Sequence, residues 1–151
     1  MVAWFDGAAQ QAGLFCGAGG IITINAQTVY RWTLNCGTGS NTKAELLAAW
    51  ASCILASRLH ITELLLLGDS KLIIDWLNGR ADFHVAELAS WKERTWEATK
   101  QIQHLTSSHI YREENLEADR LSKIALSMPP GHISFTRWEE GNEGLSSRIL
   151  L

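Results

Sequence analysis

Four consecutive leucines, Leu64 to Leu67, run directly into Gly68 and Asp69. So short an apolar run, closed by a turn residue, predicts a buried strand. An ionisable acid placed at once beyond it either starts the next helix or forms one corner of a metal site.

The rest of the chain supplies partners for that strand. Residues 2 to 5 are a short apolar run ending in Asp6-Gly7, and residues 7 to 20, rich in Gly and Ala, predict a turn and loop. Residues 21 to 24 and 29 to 34 read as strands joined at Asn25-Ala26-Gln27. A helix is expected from Thr42 to about Leu59, with Leu46, Leu47, Trp50, Ile54 and Leu55 as its large apolar positions. Beyond the leucine strand, a helix from about Ser70 to Asn78 is stopped by Gly79. A longer helix is expected from Val85 to Leu105, then a short strand from His109 to Arg112. Asn115 is placed to cap a last helix over 116 to 126, ended by Met128-Pro129-Pro130. This order describes an α/β domain over residues 1–128, with a five-stranded mixed sheet: an antiparallel meander, then parallel strands added through helical crossovers. Residues 129–151, polar and without period, are expected to be a loosely packed or disordered tail.

Length and composition restrict the class. A chain of 151 residues suggests one domain, and 46% apolar with 19% charged residues fits an ordinary soluble globular protein. No apolar run is long enough for a membrane helix, and the first ten residues lack the pattern of a secretory signal. Cys16, Cys36 and Cys53 are odd in number and far apart, which argues against a disulfide framework or zinc site and for a reducing, intracellular compartment. They are expected as small buried hydrophobes. A net charge of −3 excludes nucleic-acid binding by bulk positive charge, unless some of the acids hold metal.

Four acids attract that question, and each has an ordinary explanation. Asp6-Gly7 is a turn signal, Glu45 stands at capping-box distance from Thr42, Asp69 could be an N-cap, and Asp119 favours a helix dipole. Together they are less ordinary. Asp6 and Asp69 both close apolar strands, and parallel neighbours would bring them to one sheet end, where sites in open α/β sheets collect. Glu45 heads a helix face of small residues, Ala48, Ala49, Ser52 and Ala56, which allows close approach to the sheet. Asp119 borders the buried face of the last helix. Clustered carboxylates repel, and a divalent cation with oxygen ligands relieves them; Mg²⁺ fits best.

FDGA at 5–8, SNTKAEL at 40–46, GDSK at 68–71 and REENLEAD at 112–119 resemble the four motifs of type 1 ribonuclease H, in order and spacing. WFDGAAQ, CGAGGII and FTRWEEG are most similar to ribonuclease H domains of plant reverse-transcriptase-like proteins, including LINE-type retroelement proteins. The resemblance implies the ribonuclease H-like fold over about residues 2 to 127. It implies a nuclease that cuts the RNA strand of RNA–DNA hybrids, leaving 3′-hydroxyl and 5′-phosphate ends, with duplex RNA as a secondary substrate. Asp6, Glu45, Asp69 and Asp119 would hold two Mg²⁺ ions, with Mn²⁺ as substitute, and His109 matches a helper histidine. Substrate contacts are implied for Gly7, Ser40, Asn41, Thr42, Ser70 and Asn115. Charge adds Lys71 and Arg112 as phosphate contacts. The expected state is a monomer, or a domain of a larger polyprotein. The Lys-rich protrusion of some bacterial members is absent, since residues 78–94 hold only Arg80, Lys92 and Arg94 as basic residues. Removing four ligand acids from 16 leaves 12, against 13 basic residues, so the remaining charge is +1. A binding module without catalysis and a related-fold nuclease are the alternatives.

Overall fold

The computed structural model describes all 151 residues. An antiparallel meander of β1 (Val2–Gln10), β2 (Phe15–Thr23) and β3 (Thr28–Gly37) is followed by α1 (Asn41–Arg58) and β4 (Glu63–Gly68). Then come α2 (Lys71–Leu77), α3 (Ala89–Thr99), β5 (His104–His109), α4 (Leu116–Ile124), β6 (His132–Glu139) and β7 (Asn142–Leu150). All seven strands form one sheet in the order β5-β4-β1-β2-β3-β6-β7. β4 runs parallel to β1 and β5 parallel to β4; the other pairings are antiparallel.

The leucine run behaves as its apolarity requires. Leu64 and Leu66 are buried, and β4 occupies the interior of the sheet between β1 and β5. α1 covers one face of the sheet, where Phe5, Ile22, Trp32, Leu34 and Leu66 join its own Leu46, Leu47 and Leu55 in the main core. α4 covers the other face, lying over β1 and β2. All three cysteines are free and buried, as expected. Trp50 packs edge-on against Trp91 and Trp76 against Phe83, whereas Trp96 remains 44% exposed.

Three expectations are corrected. Residues 7 to 20 are not mainly loop: β1 continues to Gln10 and β2 begins at Phe15, leaving a tight turn between. The glycines there are demanded by packing rather than by turning. A Cβ on Gly17 would lie 2.5 Å from the Ser122 carbonyl oxygen, and one on Gly19 2.5 Å from the Leu121 backbone. α4 therefore rests directly on the β2 main chain. Second, the helix expected to reach Leu105 ends at Thr99, and the last parallel strand is His104–His109 instead of His109–Arg112. Ile102 fits the helical period, but it is buried from a turn, after which His104 pairs with Glu63.

Third, the sheet has seven strands, not five. Residues expected as a loose tail form the β6–β7 hairpin, and β6 pairs with β3 from Leu34↔Ile133 to Thr28↔Glu139. Ile133 and Ile149 enter the core. The hairpin turns on Glu140 (φ 51°) and Gly141 (φ 79°), two consecutive residues in the left-handed region, as a two-residue turn needs.

The contact between α4 and bare backbone makes a stability prediction. Gly19→Ala forces α4 away from β2 and should lower the unfolding free energy by about 1–3 kcal/mol. Urea denaturation of the variant beside wild type measures it; an unchanged midpoint contradicts the close approach.

Candidate metal centre

β4 stops pairing at Gly68, level with Phe5, so from Asp6 onward β1 has no neighbour on that side. α1 comes close to β1 here because Gly7 carries no side chain: an added Cβ would fall on the backbone of Ala44 and Glu45. Glu45 is thereby delivered to the place where Asp6 lies on β1 beyond its pairing with β4 and Asp69 follows β4. One ligand oxygen from each of Asp6, Glu45 and Asp69 lies within 4.8 Å of the others.

The ordinary explanations of these acids are now occupied by other residues. Asp6 is in no turn; it lies within β1, opposite Gly19. Ser40 caps α1, accepting from the Lys43 N–H at 3.1 Å, so the expected Thr42–Glu45 capping box is replaced and Glu45 is free. Ser70 caps α2, accepting from the Ile73 N–H at 3.4 Å, so Asp69 is free as well. Only Asp119 keeps its helical role: it lies in the first turn of α4 and pairs with Lys123 at 3.0 Å.

These acids line a groove with a volume of about 440 Å³. Asp119 stands on its wall, outside the tight group of three. Gly7, Asn41, Thr42, Ser70 and Arg112 also line it. Asn41 is held in place by accepting from the Ala9 N–H at 2.9 Å. Ser40 and Lys71 do not reach the groove; Ser40 lies in a neighbouring depression with Lys43, and Lys71 is paired with Asp75 at 2.6 Å. Asn115 is 1% exposed and donates to the Phe5 carbonyl at 2.9 Å. It makes no side-chain cap, contrary to expectation; it ties the start of α4 to β1 one residue before Asp6. His109 closes β5, exposed, with Nε2 3.2 Å from the Asp69 carbonyl oxygen and its ring edge-on to Tyr111. Lys123, unremarked in the sequence, was accessible there as the i+4 partner of Asp119.

The electrostatics are those of carboxylates that need a counter-charge. Burial pushes Asp6 up to about 6, reinforced by repulsion from Asp69 and Asp119, while contacts from Glu45 and the Gly7 N–H oppose the rise. Glu45 is held well above the usual carboxylate range by burial and by Asp6 and Asp69. The pair therefore holds a proton to higher pH than solvated acids do. Even so, Glu45 Oε2 is buried with no hydrogen-bond partner. An orphaned carboxylate oxygen beside two further carboxylates, with no sulfur or imidazole in the group, fits a hard divalent cation.

Residues 4–125 match the family described as reverse transcriptase-like. Among solved structures, the chain is similar to ribonuclease H1 from the halophilic archaeon Halobacterium salinarum, with 26% identity and TM-score 0.77 over 83% of this chain and 96% of that one. The N-terminal RNase H domain of Rv2228c from Mycobacterium tuberculosis matches with 26% identity and TM-score 0.77, over 83% and 91% of the two chains. LC11-RNase H1 from compost, solved in complex with an RNA/DNA hybrid, shares the fold at 21% identity and TM-score 0.68, over 83% and 95%.

Asp6 and Glu45 have folded pKa values above their unfolded ones, so their contribution to stability is greatest below about pH 4; that of Asp6 is lost as pH rises through about 6, and that of Glu45 is lost as pH rises past its own raised value. With divalent cations chelated, the melting temperature should therefore fall across that window. Asp6→Asn should flatten the fall. A saturating divalent cation, at about 100 times its Kd, should restore about 2.7 kcal/mol at high pH. Scanning fluorimetry from pH 4 to pH 8, with and without the cation, reads all three.

Proposed function

Since this chain belongs to the reverse transcriptase-like family and its fold is that of ribonuclease H, we propose that it is a divalent-metal-dependent endoribonuclease cutting the RNA strand of RNA–DNA hybrids. The observation that carries the reading is the convergence of Asp6, Glu45 and Asp69, from three separate elements, within 4.8 Å. The RNA/DNA hybrid held by LC11-RNase H1 supports the substrate class. The family supports a setting within a reverse-transcription polyprotein, of the plant or LINE type that the motifs resemble.

Asp6, Glu45, Asp69 and Asp119 would hold the two metal ions, Mg²⁺ with Mn²⁺ as substitute. When bound, such a pair activates a water and stabilises the leaving oxygen of an in-line displacement. The protein must first give up the proton shared by Asp6 and Glu45, so metal loading improves with rising pH. Asp119 must turn from Lys123, which frees an ammonium at the groove wall for a phosphate oxygen. Arg112, exposed at the groove, serves the same purpose on the substrate backbone. Asn41 and Thr42, fixed at the start of α1, face the groove where 2′-hydroxyls distinguish RNA from DNA. His109 sits outside the groove, and its Nε2 contact with the Asp69 main chain, close to the metal ligands and open to solvent, supports a role for it as a proton carrier. Asn115 is a positioning residue that sets α4, and so Asp119, against β1.

An end-labelled hybrid incubated with Mg²⁺ should be cut in its RNA strand, leaving 3′-hydroxyl ends, with duplex DNA untouched. EDTA should abolish cleavage. Asp69→Asn should lower kcat by about a thousandfold, the equivalent of about 4 kcal/mol of lost charge stabilisation. Absence of cleavage by wild type, or full activity in Asp69→Asn, overturns the assignment.

A further inference from the structure

The C-terminal hairpin opens a second groove, on the face of the sheet that carries α4. Its volume is about 350 Å³. Its floor is polar: Ser134 and Thr136 of β6 lie opposite Arg148 and Ser146 of β7. Arg31 of β3 and Arg120 of α4 also line it. Arg31 lies over the Trp138 ring, 4.8 Å from its centroid. Stacking of this kind fixes the guanidinium plane while leaving its N–H edges available.

The charges are uneven. Three arginines line the groove against one acid, Glu143. Arg31 and Arg120 share Glu117, which leaves +1 when that residue is included. Arg148 is exposed and forms no ion pair. Guanidinium groups among hydroxyl donors, with few acceptors, fit phosphate oxygens. The groove and the metal centre flank the same helix, α4, which contributes side chains to both. Asp119 and Lys123 face the metal groove, while Arg120 and Ile124, each the next residue along, face the second one. A helix is about 10 Å across, so a strand leaving the metal centre crosses α4 within a few nucleotides.

We propose that the β6–β7 hairpin extends the nucleic-acid platform: substrate backbone that leaves the metal centre passes over α4 and lies along this groove, with Arg148 as its free phosphate contact. The proposal rests on the hybrid-cleaving function above. It gives this chain, which lacks a Lys-rich protrusion, a different basic surface on the opposite side of the sheet's meander.

The test uses the full chain in an Asp69→Asn background, so that a hybrid of about 30 base pairs, long enough to span both grooves at about 3.4 Å per step, is bound without being cut. Arg148→Glu, Arg148→Gln and a remote charge control, Arg58→Glu at the far end of α1, are compared by fluorescence anisotropy over a salt series. Arg148→Glu should weaken binding several-fold more than Arg58→Glu, and Arg148→Gln should lower the log–log salt slope by about 1. In the otherwise wild-type chain, KM should rise with kcat unchanged. If both Arg148 variants bind like the Arg58 control with unaltered slope, the groove is not part of the platform. If the wild type cuts nothing yet Arg148 still governs hybrid binding, the nuclease assignment fails and the groove stands.

Discussion

The structure depends on helices lying against bare main chain. At Gly7 there is no room for even a methyl group between β1 and the Ala44–Glu45 peptide, and at Gly17 and Gly19 none between β2 and α4. These contacts set the distance of both helical layers from the sheet, and with it the position of the two acids the helices carry. Side chains of ordinary size at those positions would lift α1 and α4 outward by several ångströms and spread the carboxylates apart. The repulsion among Asp6, Glu45 and Asp69 is thus imposed by packing on apolar surroundings, and the raised proton affinity of Asp6 and Glu45 and the orphaned Glu45 oxygen are its consequences.

The same logic explains the division of labour around the site. Capping of α1 and α2 is given to serines: Ser40, five residues before Glu45, and Ser70, directly after Asp69. Had Glu45 or Asp69 satisfied those helix ends, their oxygens would be committed to backbone N–H groups and unavailable to a cation. Asn115 performs a comparable service from α4, using its amide on the Phe5 carbonyl instead of on its own helix.

Much of this was legible in the chain. The leucine run, the helix that follows Ser40 and the four-motif order give the parallel core and the acids, because strong apolar periodicity and fixed spacing survive any tertiary context. The glycine-rich segments misled: by local propensity they are loop formers, and only the helices packed on them reveal why they are strands. The end of α3 was obscured because Ile102 satisfies both a helical period and a buried turn. The hairpin was hidden by its own composition. Of β7 only Ile149 is buried, so alternation has almost nothing to show there, although Glu140-Gly141 is the kind of pair that closes a two-residue turn.

That composition is itself informative. A hairpin added only to protect the edge of β3 needs an apolar face toward α1, and Ile133 with Ile149 supplies it. Nothing in that task requires the opposite face to carry serine, threonine and arginine. No helix covers it beyond α4, so the floor of the groove meets water, and its arginines cost little to maintain there. One face of the hairpin is therefore accounted for by the fold and the other is not. The unaccounted face is bordered by Arg120 and Ile124 of α4, the helix that also carries Asp119, and that shared border is why substrate backbone is the occupant we propose for it.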